Sequence, residues 1–304
     1  GPSQMAPIQV AAMAVATGQA RHILCFRALT ESSSQTATRR ASIPGAGRAR
    51  LGGWYSYLVP ANAMSASNWA GWMAQRYFHE FGMTREHLGL VATGQRAFAQ
   101  LNPSAVMRTP LTMDDYLDAR MISSPLGLFD CDVPIDGACV VIVSAADAAK
   151  DCARAPLTIE AMGAALRSQE TWDQRADLTT MGAHDSAADM WKRTDLKPAD
   201  VDVLGLYDGF SIFVPFWLEA MGFCDHGEAK DFIAEGNIGP GGRFPVNTGG
   251  GQLSGGRLHG FGLLHEVCTQ LWGQADGRQV NDAKVGACGM GGGFIAGSML
   301  LRRG

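Results

Sequence analysis

The chain has 304 residues, 46% hydrophobic and 18% charged, with a formal net charge of −4. That composition is globular and long enough for a sizeable core, and it lacks the basic excess of a nucleic-acid binder or a polybasic membrane anchor. No apolar run reaches the roughly 18 residues of a membrane-spanning helix.

MAPIQVAAMAVAT, residues 5–17, reads as a buried, Ala-rich helix rather than a charged leader, with Gly18 placed to stop it. HILCFR at 22–27 reads as a buried strand, and the polar, then Gly- and Pro-containing stretch 29–60 as loop. Helical periodicity runs over 65–82 and 85–101, the second capped by Thr84, and a short helix over 112–120 starts near Thr112 or Asp114. ACVVIVSA at 138–145 reads as a buried strand. In the second half PLTIEAMGAA opens a strand at 156–165, and DSAADMWKRTDL at 185–196 is a helix whose connection ends at Pro198. VDVLGLYD at 201–208 is a strand, FSIFVPFWLEAMG an apolar helix, and a helix near 257–273 precedes closing strands in KVGACGM and GGFIAGSMLLRR. A small-residue turn, a helix and a strand recur in both halves. The pattern predicts two α/β halves, 1–150 and 151–304, with parallel buried strands accounting for the continuous apolar runs.

NTGGGQLSGGRLHGFG, residues 247–262, spends seven of its sixteen positions on glycine beside one arginine and one histidine. Glycine costs backbone entropy on folding, so such a run points to close approach of backbone to a ligand or another loop. The seven cysteines (Cys25, Cys131, Cys139, Cys152, Cys224, Cys268 and Cys288) contain no CxxC pair and are odd in number. They fit a reducing cytoplasm better than a disulfide framework. The seven histidines lack HxxxH and HExxH spacing, so no metal is expected.

Four stretches, ILCFRALTESSS, DYLDARMISSPLGLFDCDVPIDGACVVIV, LGLYDGF and NTGGGQLSGGRLHGFG, resemble the thiolase superfamily. The branch most resembled is that of the sterol-carrier-protein-X-type thiolases and the lipid-transfer-protein aldolases of steroid side-chain degradation. The resemblance covers essentially the whole chain, and its second and fourth stretches are the specific ones. It implies an α/β fold of duplicated, layered αβαβα type that forms a homodimer, with roughly one further βαβ segment upstream. By that measure the N-terminal segment of the fold is expected to be missing here.

Three departures matter. Thiolases carry a nucleophilic cysteine in a turn just before the first long helix. Counting back from Gly18, Gly1 stands in that place and has no side chain to acylate. Sterol-carrier thiolases have histidine where this chain has Tyr207, as in the aldolase branch. The usual Gly-His-Pro is replaced by Gly256-Arg257-Leu258, with His259 following. The combination implies a retro-aldolase acting on a β-hydroxyacyl-CoA thioester, with a steroid tail and release of a ketone plus propionyl-CoA or acetyl-CoA.

Tyr207, at a strand end, is the first candidate for the base or for a proton relay, because a phenol near pKa 10 must be tuned or assisted. His259 is the second, as donor to the thioester oxygen or the acid that protonates the enolate, with the following helix N-terminus offering N–H groups. Arg257 pairs with a carboxylate or orients His259. Gly256, Gly291, Gly292 and Cys288 are expected to line the site, with Cys288 a buried, inert thiol. Asp208 holds a turn, and Glu266, seven residues after His259 on one helical face, is either a supporting residue or plain exposed surface. Asp130, Asp132 and Asp136 are read as loop-structuring. For Tyr207 and His259 the competing readings are a hydrogen-bonded core tyrosine and a capping histidine.

No cofactor is expected beyond the CoA thioester substrate. The resemblance implies a hetero-complex with a protein carrying an OB-fold and a zinc ribbon. The competing functions are a thiolase-like acyltransferase and a non-catalytic acyl-CoA or lipid carrier.

Overall fold

The computed structural model describes residues 5–34, 52–53, 55–149, 151–166, 172 and 175–304. Helix α1 (Ala6–Ala16) stops at Gly18, which takes φ of 75°. It is less buried than its alanines suggest, with only Ile8 and Ala11 enclosed. Strand β1 (His22–Thr30) follows and pairs antiparallel with β2 (Asp136–Ser144), His22 opposite Ser144 and Thr30 opposite Asp136. Leu29 and Thr30 thus extend the strand into the expected loop, and Glu31–Ser34 and Tyr55–Leu58 are short helical turns. The rest of that loop, residues 35–51 and 54, and Gly1 lie outside the described residues.

Between β1 and β2 run α2 (Ala66–Phe81), α3 (Arg85–Gln100) and α4 (Met113–Asp118). Thr84 begins α3 as expected and its side chain hydrogen-bonds Glu86, while His87 Nδ1 accepts the Thr84 N–H at 3.1 Å. Thr112 caps α4 by accepting from the Asp115 N–H at 3.1 Å.

The second sheet contains β3 (Leu157–Leu166), β4 (Val203–Leu206), β5 (Val285–Gly292) and β6 (Ile295–Arg303), in the order β3-β6-β5-β4. Only β4 and β5 are parallel; β5–β6 and β3–β6 are antiparallel, which corrects the expectation of parallel strands. The reason is a tight β5–β6 hairpin through Gly293 at φ 63°, which leaves no room for a crossover.

Helices α1 and α8 (Phe261–Leu271) lie between the two sheets. Met5, Ile8 and Ala11 share one apolar cluster with Leu264 and Val267 and with Val203, Cys288 and Met299 of the second sheet. The far face of that sheet is covered by α5 (Gly182–Trp191) and α6 (Phe213–Ala220), whose Met190, Phe213, Phe216 and Trp217 are fully buried. The order of layers is therefore sheet, helices, sheet, helices. The outer face of β1–β2 is open: Leu24, Phe26, Val140 and Ile142 are exposed, Phe26 by 66%. The apolar runs of these strands predict burial on both sides, but only the face toward α1 and α8 is covered.

Gly163 of β3 shows how tightly α5 seats on the sheet. A Cβ there would meet the Ser186 carbonyl oxygen at 2.0 Å and the Met190 nitrogen at 2.6 Å, both backbone. Gly163→Ala is expected to destabilise the fold by about 3 kcal/mol, the upper range for overpacking, read as a drop in the thermal unfolding midpoint. An unchanged midpoint would contradict this packing.

Candidate active site

Strand β4 ends by presenting Tyr207. Its N–H continues the parallel ladder to the Gly289 carbonyl at 2.8 Å. Asn247, at φ 56°, accepts the Leu206 N–H and donates to the Leu206 carbonyl, both at 2.8 Å, which clamps the glycine-rich run to the strand end. The tyrosine ring lies back over Gly209, where a Cβ would come within 2.8 Å of the phenol oxygen.

The run then makes a single π turn at Gly251–Gly255, with Gly250 at φ 99° and Gly256 at φ 119° on either side. Its purpose is close approach. The Gln252 N–H donates to Asp208 Oδ2 at 2.8 Å, and a Cβ on Gly251 would fall 2.1 Å from that oxygen and 2.3 Å from Gln95 Oε1.

A third segment, residues 131–133, is stitched between these two. Asp132 N–H donates to the Gly209 carbonyl at 3.2 Å, Val133 N–H to the Gln252 carbonyl at 3.0 Å, and Arg257 N–H to the Val133 carbonyl at 2.8 Å. This threading sets Asp132 against Arg257 and within electrostatic reach of Tyr207. Arg257 Nη1 donates to Asp132 Oδ1 at 3.0 Å, while Nε donates to Glu31 Oε2 at 2.7 Å and Nη2 reaches the same oxygen.

Burial dominates the electrostatics. It pushes the Asp132 carboxyl up to about 7; Arg257 opposes that shift, and the charges of Asp208 and Glu31 add to it. Asp208 is fully buried and also pushed up to about 7, while its hydrogen bonds from Gln252 pull the other way. The Tyr207 phenol is raised well above its ordinary range, by burial first and then by the charge of Asp132. Tyr207 is therefore a neutral phenol near neutral pH, not a standing phenolate.

His259 sits at φ 51°, a left-handed conformation that non-glycine residues adopt at a cost, directly before Gly260 and the start of α8. Arg27 Nη2 donates to its Nδ1 at 2.9 Å. A guanidinium only donates, so Nδ1 accepts and the ring proton resides on Nε2. That Nε2 is 3.9 Å from Glu31 Oε1. Burial holds the imidazole well below its usual range, and Arg27 and Arg257 act in the same direction. The ring is thus a neutral Nε2–H donor.

The remaining candidates fall into two groups. Arg257 pairs with carboxylates and Gly256 packs against Ile135, both within this cluster. Gly292 lies against the Phe213 ring, whose centroid is 6.0 Å from that of Tyr207, and the Gly291 carbonyl accepts from Trp217 Nε1 at 3.0 Å. Cys288 is fully buried in β5, paired with Gly205 and Met299, and burial pushes its thiol well above the ordinary range. Glu266 is engaged by other partners: it is buried, takes Nε and Nη2 of Arg278 at 2.9 Å each, and accepts from Thr248 at 2.9 Å. Asp130 does structure its loop, accepting from Tyr116 and Gly127 at 2.7 Å and from Ser211 at 2.5 Å.

Sequence reasoning does not single out Arg27, Glu31, Gln95 or Gln252, and it gives Asp132 only a role in its loop. The available signal is weak: CFRALTE puts an arginine and a glutamate on one face of an extended strand, four residues apart. Two surface hollows, one lined by Met5, Gln9 and Leu166 and one by Val140, Leu258 and His265, lie outside this cluster. Among the described residues, one group of metal-ligating side chains comes within mutual reach, His184, Glu219 and His226, and it shares no residue with this cluster.

The thiolase C-terminal domain-like family matches residues 164–301. A steroid side-chain-cleaving aldolase of Thermomonospora curvata is 37% identical over 281 residues, which cover 88% of this chain and 69% of that protein. The 17-hydroxy-3-oxo-4-pregnene-20-carboxyl-CoA lyase of Mycobacterium tuberculosis is 36% identical over 284 residues, 90% of this chain and 72% of that protein. Among solved structures, an Ltp2–ChsH2(DUF35) aldolase superposes with a TM-score of 0.89 at 31% identity, covering 100% of this chain and 78% of the other.

A carboxyl whose folded-state pKa lies above its unfolded value adds stability at low pH that is lost as pH rises through the folded value. For Asp208 that loss begins above the ordinary carboxylate value near pH 4 and is complete near pH 7. Asp208→Asn is therefore expected to raise the thermal midpoint relative to the parent at pH 8, with the gap closing toward pH 4. A variant less stable at pH 8 than at pH 4, relative to the parent, would refute this assignment.

Proposed function

The chain belongs to the thiolase-like family that includes the steroid side-chain-cleaving aldolases, and on that premise we propose that it is a carbon–carbon lyase of CoA thioesters. The reaction is retro-aldol cleavage of a β-hydroxyacyl-CoA with a steroid tail. The observation that carries this reading is a neutral Tyr207 held at the end of β4 within electrostatic reach of Asp132, a carboxyl gripped by Arg257 at 3.0 Å and pushed up to about 7.

In this mechanism the substrate hydroxyl gives its proton to Tyr207 as Tyr207 passes its own to Asp132. The oxygen closes to a carbonyl and the bond to the α-carbon breaks. The electron pair moves into the thioester, forming an enolate. The Nε2–H of His259 faces the thioester oxygen and stabilises that charge, and the proton is returned at the α-carbon. Arg257 keeps Asp132 ionisable by countering its burial. The products are a ketone and a short acyl-CoA, propionyl-CoA or acetyl-CoA. No step requires an organic cofactor or a metal.

Two features favour this over acyl transfer. Cys288 is enclosed with its thiol raised, so little thiolate is present to act as a nucleophile. Tyr207 and Asp132 are organised for proton movement instead. The Ltp2–ChsH2(DUF35) aldolase is by its name a pairing of two proteins, and a second protein carrying an OB-fold and a zinc ribbon is proposed as the partner here. The open apolar face of β1–β2 supports a homodimer as well. No helix of the described residues is long and apolar enough to cross a membrane, and a cytoplasmic location is proposed.

Tyr207→Phe is expected to lower cleavage of a β-hydroxy steroid CoA thioester about 10²–10⁴-fold, the range for a positioned acid–base group, with substrate binding retained. The measurement is single-turnover ketone release, with and without an OB-fold partner. Turnover within a few-fold of the parent would remove Tyr207 from the mechanism. Absence of cleavage in the parent under both conditions, with acyl-CoA bound, would favour a transferase or carrier.

A further inference from the structure

We propose that His184, Glu219 and His226 form a zinc site on the side of the molecule covered by α5 and α6. One ligand atom from each lies within 4.8 Å of the others. His184 belongs to the first turn of α5, Glu219 to α6, and His226 to the loop before α7 (Ala229–Ala234). The spacing of 35 and 7 residues matches no sequence pattern for metal, which is why the histidines give no signal in the sequence.

The surroundings of each side chain leave one ligand atom turned toward the other two. Glu219 is buried, its side chain 1% exposed. Its Oε1 is occupied by three donors: the Tyr77 hydroxyl, Gly227 N–H at 2.9 Å and Ala229 N–H at 3.2 Å. That leaves Oε2 facing the histidines, 2.8 Å from His226 Nδ1. A buried carboxylate needs a compensating cation, and among the described residues Glu219 forms its ion pair with His226.

His184 presents an Nε2 that is buried and has no hydrogen-bond partner, while its Nδ1 lies 3.2 Å from the Met181 carbonyl. The Met181 N–H also lies 3.3 Å from Nδ1, so Nδ1 meets both a backbone donor and a backbone acceptor; with the proton on Nδ1 toward the carbonyl, Nε2 carries the free lone pair of a metal-bound histidine. His226 repeats the arrangement with its nitrogens exchanged. Its Nε2 is 3.2 Å from Thr179 Oγ1, and that hydroxyl donates to Asp177 Oδ1 at 2.7 Å. Thr179 is therefore an acceptor toward Nε2–H, while Nδ1–H donates to Glu219 Oε2; a metal ion would take the place of that Nδ1 proton between the two ligand atoms. Arg175 and Asp177 both act on His184, with opposite charge effects.

Two imidazoles and one carboxylate suit Zn²⁺, with a fourth position on the side of the 43%-exposed His226. The bound ion would tie α5 and α6 to each other and to the loop entering α7. α6 leads directly from the segment after Tyr207, so the ion braces the helix behind the reaction site without touching substrate.

The test is titration of Zn²⁺ into chelator-treated full-length chain, followed by calorimetry and by the thermal midpoint. One Zn²⁺ per chain and a raised midpoint are expected. His226→Gln, at an exposed position that leaves the core intact, should weaken binding at least about tenfold and remove the rise; His184→Ala should do the same. Substitution of Co²⁺ should give the visible absorption of a tetrahedral nitrogen–oxygen site. Failure to bind Zn²⁺, binding unchanged in His226→Gln, or a cobalt spectrum dominated by thiolate charge transfer would each overturn the proposal.

Discussion

Arg257 between Glu31 and Asp132 is the interaction on which the site depends. Two carboxylates and a guanidinium, all largely withdrawn from water, meet at the end of β4. Without the cation, Asp132 would face Asp208 and Glu31 alone in a dry environment, and its proton would not leave near neutral pH. With it, Asp132 is poised close to neutrality. The pair also fixes three chain segments relative to one another: the end of β1, the segment 131–133 and the glycine run. Breaking it disturbs geometry and proton affinity together.

The fold supplies that meeting point through backbone rather than side-chain packing. The single parallel pair β4–β5 brings Tyr207 to the strand end, and Asn247 fastens the returning loop to Leu206. Gly251 then allows the loop backbone to settle on Asp208 and Gln95 at a distance closed to any Cβ. The strained His259 is held next to the start of α8 by Arg27 and by the turn itself. The run of glycines thus lets backbone settle against Asp208 and Gln95 while it carries Arg257 and His259 to the Glu31 carboxylate, and its entropic cost is met by the buried layers on either side.

Much of this is legible in the sequence. The helices over 66–81 and 85–100, the strand leading into Tyr207 and the glycine run stand out because periodicity and turn residues are local signals. The family is legible too, because its motifs keep their residue types in order. Partners are not. Arg27 and Glu31 lie more than 200 residues from His259 and Arg257, and nothing in CFRALTE announces which charges will face them. Asp132 resembles its neighbours Asp130 and Asp136, and only the threading of 131–133 separates an acid gripped by Arg257 from one that closes a loop. Periodicity overestimates parallel pairing because an apolar run looks alike in a buried parallel strand and in an antiparallel strand packed on one face, as Phe26 and Ile142 show. Glu266 lies on the helix as its spacing requires, yet Arg278 claims it.

The claim at the centre of this account is that the proton leaving the substrate reaches Asp132 through Tyr207. The pH dependence of the single-turnover cleavage rate tests it most directly. Asp132 must be ionised to accept, so the rate should rise with pH through a midpoint near 7. In Asp132→Asn the rate should be much lower and that midpoint absent, while His259, neutral throughout, leaves no inflection of its own. A profile with the same midpoint near 7 in Asp132→Asn, or a rate that falls with rising pH in the parent, would contradict the account.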